Sequence, residues 1–187
     1  MAAVVLASPI QRQRLWLRSL LVANRFRGGD HDLRMSNGAT EVFVVVLMFA
    51  VSALARRSWD FRFAAFVAAQ DQNIRGRGCV GFRMEDIDWG ATRASQAENR
   101  SFVLQTVDLA LSRYRWDELG YDPPLVGDHL RRFRAIVEAF DPLTAVPEQG
   151  AFPEAGDVVA AFCPQHRVLS PLPWYEACVL CTVDQPI

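Results

Sequence analysis

Between residues 42 and 55 every position except Ser52 is apolar, whereas from 96 to 140 the apolar positions recur every three or four residues. The first pattern has no polar face and predicts a helix or strand buried on all sides; the second predicts amphipathic helices. Val103, Val107, Ala110, Leu111 and Tyr114 share one face of a helix over 96–118, with Ser95 and Glu98 placed as a capping box and Gly120 as a stop. Leu130, Phe133, Val137 and Phe140 form the stripe of a following helix, capped by Asp128 and ended by Asp141-Pro142. Tyr121-Asp122-Pro123-Pro124 is a rigid connector between them, so the two read as an antiparallel helical pair at the centre of the fold.

Shorter signals fill in the rest. Trp59, Phe61, Phe63, Phe66 and Val67 lead a short helix, residues 79–84 read as a strand weakened by Gly81, and 85–90 as an acidic turn. Residues 158–162 are apolar enough for another strand. Near the start, Leu15, Leu17, Leu20 and Leu21 alternate with Arg12, Arg14 and Arg18, which predicts a basic amphipathic helix over 9–24, broken by Gly28-Gly29-Asp30-His31-Asp32. The fold class is therefore α+β, mostly helical. Composition divides the chain into a basic and apolar segment (1–57), a mostly helical globular domain (58–141), a Pro/Gly-rich linker (142–156) and a C-terminal module (157–187).

The run at 42–55 also has to be weighed as a membrane anchor. Fourteen helical residues cover about 21 Å, against about 30 Å of hydrocarbon. The length favours a buried element over a span, and the residues just before the run, which carry Glu41 and no positive charge, argue against a signal peptide. Met35 adds a further expectation, that residues 1–34 form an over-extended start.

Composition narrows the function classes. All 20 basic residues are Arg, which removes every Lys-dependent mechanism, and 21 acids almost cancel them. No whole-protein field draws the chain to nucleic acid or an anionic membrane. Four cysteines in 187 residues are too few for a disulfide scaffold, and three of them cluster near the end. Cys79 stands apart, as a buried or free thiol.

That cluster is Cys163-Pro164-Gln165-His166 followed by Cys178-Val179-Leu180-Cys181. Two residues between paired ligands let a tight turn aim both side chains at one point, and thiolate with imidazole is the usual donor set of structural zinc. Cys163, His166, Cys178 and Cys181 are therefore the expected ligands of a structural Zn2+ ion. The pattern resembles zinc ribbons and zinc knuckles, with Cys-Pro-x-His standing where those families often have Cys-Pro-x-Cys. It departs from them in lacking a glycine after each knuckle, where Arg167 and Thr182 stand.

Four protein ligands leave no open position, so the expected role of the metal is structural rather than catalytic. The His-x-Glu of zinc deaminases, the His-Glu-x-x-His of metalloproteases, nucleophile elbows and phosphate loops are all missing. Residues 141–187 hold six acids and only Arg167, the wrong charge for phosphate contacts. The sequence thus reads as a non-enzymatic binding or regulatory protein whose partner is another protein, with Trp174 and Tyr175 as candidate contacts and a cytoplasmic location. A second reading is a nucleic-acid-associated regulator using Arg12 to Arg27 with Arg131, Arg132 and Arg134. A third is a small membrane-associated protein anchored through 42–55. Asp30-His31-Asp32 and Glu85, Asp86 and Asp88 are metal-capable but read first as solvated turns.

Overall fold

The computed structural model describes residues 24–144, 152–175 and 178–181. A two-stranded antiparallel hairpin comes first, with β1 (Asn24–Gly28) paired to β2 (His31–Met35) and Phe26 directly opposite Leu33. Five helices follow: α1 (Asn37–Leu54), α2 (Ser58–Ala68), the single turn α3 (Gln72–Arg75), α4 (Arg93–Leu111) and α5 (Val126–Ala139). The result is mostly helical α+β.

The helix α1 is the hub. Ser36 caps it, and every residue from Phe43 to Ser52 is buried as α2, α4 and α5 pack around it. A helix without a polar face has to be enclosed, which is why the uniform apolar run ends up at the centre. Among the described residues α1 is the one helix long and apolar enough to cross a membrane, and here protein covers it. The pair α4 and α5 lies against it rather than at the centre. Arg100 of α4 reaches the Val137 carbonyl of α5 while Asp108 pairs with Arg134, so the two helices run antiparallel.

Four phenylalanines join four parts of the chain. Phe26 of the hairpin, Phe43 of α1, Phe82 and Phe133 of α5 have ring centroids 5.0–6.0 Å apart, mostly edge to face. This is the arrangement aromatic quadrupoles favour. Phe26 and Leu33 lie upstream of Met35 and are fully buried, so a chain beginning at Met35 would lose part of this core. One apolar cluster runs from Phe26 to Val179, on both sides of residue 58.

Several local expectations change. Residues 79–84 do not form a regular strand, yet the Arg25 and Arg27 amides donate to the Val80 and Phe82 carbonyls at 2.9 and 3.0 Å, so the segment lies along β1. Asn24, wholly buried, ties this together: its side chain donates to Thr40 Oγ1 at 2.8 Å and accepts from the Val80 amide at 3.0 Å. The capping box of α4 is Thr92 with Ser95, three residues earlier than expected, and Glu98 instead pairs with Arg57. That helix stops at Leu111 because Arg113 and Arg115 take left-handed backbone angles. Leu125, also left-handed, rather than Asp128, precedes α5.

The 142–156 stretch is anchored at its far end. Phe152 is buried against Trp59 and Phe66, and Arg62 lies 4.8 Å over its ring while donating to the Pro153 carbonyl. Residues 158–162 form only an isolated bridge, Phe162 to Leu169. The expected helix over 9–24, apart from Asn24, which begins β1, and residues 145–151 of that linker lie outside the described residues.

Candidate metal centre

An irregular hairpin carries the first knuckle. The Val159 amide donates to the Pro171 carbonyl, Ser170 to Ala161 and Cys163 to Val168, leaving residues 163–168 as the tip. There the Arg167 amide donates to the Cys163 carbonyl at 2.8 Å, closing a turn that places Cys163 and His166 side by side. Arg167 has φ 53°, the left-handed conformation a glycine would adopt at no steric cost.

The second knuckle meets the first. Cys163 Sγ lies 3.8 Å from Cys181 Sγ, and Cys178 Sγ lies 3.6 Å from Cys181 Sγ. His166 Nδ1 is 3.7, 3.3 and 3.4 Å from the sulfurs of Cys163, Cys178 and Cys181. All four donor atoms fall within 4.8 Å of one another. An ion bound at about 2.3 Å from sulfur and about 2.0–2.1 Å from nitrogen would, in a regular tetrahedron, separate sulfurs by about 3.8 Å and sulfur from nitrogen by about 3.5 Å. Five of the six edges, at 3.3–3.8 Å, lie near those lengths, while a disulfide would need sulfurs at about 2.0 Å. These four residues could hold a metal ion.

The electrostatics suit thiolates. Burial alone would push the Cys163 thiol up, but the backbone amides of His166 and Gln165, with the His166 side chain, pull it well below its ordinary value. Cys178 is the exception: more deeply enclosed, it has its thiol driven up by burial. Cys178 and Val179 sit against the main core.

Two side chains from the helical body hold the hairpin in place. Ser52, the one polar residue of the apolar run, accepts the Leu169 amide at 2.9 Å while its hydroxyl donates to the Met48 carbonyl. Arg115 donates to the His166 carbonyl at 2.6 Å and to the Arg167 carbonyl at 3.3 Å, and its guanidinium lies 4.7 Å over the Phe49 ring. The same guanidinium grips Glu118, which holds that carboxyl below its usual range. Ser52 was legible as a polar break in an apolar run; nothing in the sequence marked Arg115, whose reach depends on the left-handed turn. Ser52→Ala should destabilise the protein by about 1–3 kcal/mol, because the Leu169 amide is left buried without an acceptor. Urea unfolding followed by circular dichroism measures it.

Most of the charged candidates are engaged elsewhere. Cys79 is exposed and far from the cluster, a free thiol. Asp32 accepts from Arg25 and Arg34, Asp86 from Arg83, and Asp88 from Arg62. Arg131 pairs with Asp128, and Arg134 with Asp108 and Glu138. Trp174 is exposed, while Tyr175 packs partly against the core.

Fold and cluster together define the class: a small, mostly helical α+β protein carrying a three-cysteine, one-histidine cluster where a docked hairpin meets residues 178–181. Compared with known proteins, the chain matches no family model, no curated protein and no solved structure.

Proposed function

We propose that this chain is a non-enzymatic binding or regulatory protein in which Cys163, His166, Cys178 and Cys181 hold a structural zinc ion, and that its partner is another protein. The carrying observation is the set of four converging donors, five of whose six separations lie near those of a zinc tetrahedron, so that a protein atom would take every position. Three soft thiolates and an imidazole favour zinc over the hard cations, which take oxygen ligands. A filled coordination sphere supplies fold energy rather than an activated water.

The protein-partner reading rests on charge and exposure. The chain from 141 onward holds six acids against one Arg, and the hairpin that carries the first knuckle leaves Phe162 half exposed, with Trp174 further exposed just beyond it. Arg131 and Arg134, which a nucleic-acid regulator would turn to phosphates, are engaged by acids of the same protein. Enclosure of α1 favours its role as a core helix over an anchor. A thiolate cluster also suits the reducing cytoplasm.

Metal analysis of the purified chain tests this directly. One equivalent of zinc per chain is expected, and a metal-free folded chain would overturn the reading. Mixed-sequence DNA at low salt should not bind; binding that weakens steeply with salt would favour the nucleic-acid alternative.

A further inference from the structure

Resting on the zinc reading above, the geometry points to Arg115 as a positioning residue that couples the metal centre to the loop between α4 and α5. Arg115 contributes no ligand. Its guanidinium nevertheless joins three structures: Glu118 within the loop at 2.6 and 2.8 Å, the two successive carbonyls of His166 and Arg167 in the knuckle, and the Phe49 ring on the central helix.

Both ends of this bridge are backbones held in an unfavourable conformation. Arg115 itself has φ 59° and Arg113 φ 66°, and across the bridge Arg167 has φ 53°. Left-handed geometry is unfavourable for a non-glycine residue, and it persists where surrounding contacts over-determine it. For Arg167 those contacts are its amide bond to the Cys163 carbonyl and the Arg115 hydrogen bond to its own carbonyl. For Arg115 they are the Glu118 fork and the two knuckle carbonyls. Each strained turn is thus held partly by the other through one guanidinium.

Metal binding fixes the directions of Cys163 and His166, and with them the carbonyls that Arg115 reads. Holding those carbonyls in turn preorganises the knuckle for the metal. Linkage makes the two effects equal: whatever metal contributes to the ordering of residues 112–120, ordering of that loop contributes to metal affinity. The loop carries exposed Tyr114 and Tyr121, so metal occupancy controls how that surface is presented.

The test uses the full chain with zinc as the probe. Zinc affinity is measured by competition with a chromophoric chelator, and hydrogen exchange is followed at the amides of Trp116, Glu118 and Gly120, which donate to the carbonyls of Arg113, Arg115 and Asp117. In the parent chain, stripping zinc should speed exchange at these amides more than at the α4 amides of Val103 and Val107. Arg115→Ala should weaken zinc binding about 10- to 100-fold, as is usual when an outer partner of a metal site is lost, and should make loop exchange fast with or without zinc. Arg115→Lys keeps the charge and the stem over Phe49 but cannot span Glu118 and both carbonyls at once. It should show the same losses in a chain that still folds. Unchanged zinc affinity in a folded Arg115→Lys chain, or loop exchange indifferent to zinc in the parent, overturns the coupling and leaves the zinc reading standing. A parent chain that takes up no zinc overturns both.

Discussion

Cys178→Ser is expected to release the metal and to lower the melting temperature by about 10 °C. Cys178 is buried and its sulfur lies 3.3 Å from His166 Nδ1 and 3.6 Å from Cys181 Sγ, so a serine there offers a poor zinc donor in an enclosed position. Structural zinc contributes about 10–16 kcal/mol to peptides that fold only around it; here the hairpin is also held by the core, so loss of the ion is put at roughly 3–4 kcal/mol. In a protein of this size that corresponds to about 10 °C. The loss should spread beyond the hairpin, because Val168, Leu169 and Val179 belong to the same apolar cluster as α1. Calorimetry of the parent with and without chelator, beside the variant, measures it. A single cooperative transition shifted as a whole is the expected result, and retained zinc in the variant would remove Cys178 from the site.

Gly81→Ala should be as damaging for a different reason. A Cβ at this position would lie 1.9 Å from the Arg25 carbonyl oxygen and 2.8 Å from the Arg25 nitrogen, and Gly81 has φ 128°. The obstacle is backbone, so relief requires the 80–83 segment to leave β1. Separation would cost the two hydrogen bonds from Arg25 and Arg27, at about 1 kcal/mol each, besides the strain of about 1–3 kcal/mol in the alanine's own backbone. It would also pull Phe82 out of the four-phenylalanine cluster. A loss on the order of 4 kcal/mol follows, read as a lower urea midpoint with zinc content unchanged. Gly76→Ala, with open space around its Cβ, is the control for glycine strain alone.

The positions of the two knuckles were legible because ligand spacing is a local property. A turn of four residues aims both donors whatever surrounds it, so CxxH and CxxC announce themselves. The aromatic helix at 58–68 and the amphipathic character of α5 were legible for the same reason, since helical periodicity acts within a few residues. The start of α4 was not, because Thr92 and Ser95 compete as caps and the choice depends on the contacts the helix makes. Glu98, the expected capping partner, is drawn to Arg57 on α2 instead. The hairpin over Asn24–Met35 was hidden by its charges: Arg25, Arg27, Asp32 and Arg34 occupy the exposed face of strands only five residues long.

By itself, then, the sequence determined the four candidate metal ligands, the mostly helical class and the need to enclose residues 42–55, all consequences of short-range spacing or of apolar residues that must leave water. Only the tertiary structure decided that α1 rather than the α4/α5 pair is the hub, that Phe26 and Phe82 complete its core, and that Ser52 and Arg115 dock the metal hairpin onto it. The Ser52 and Arg115 contacts join residues 51 and 117 positions apart, and a hydrogen bond between such distant groups depends on where the chain has already been brought, which no local pattern encodes.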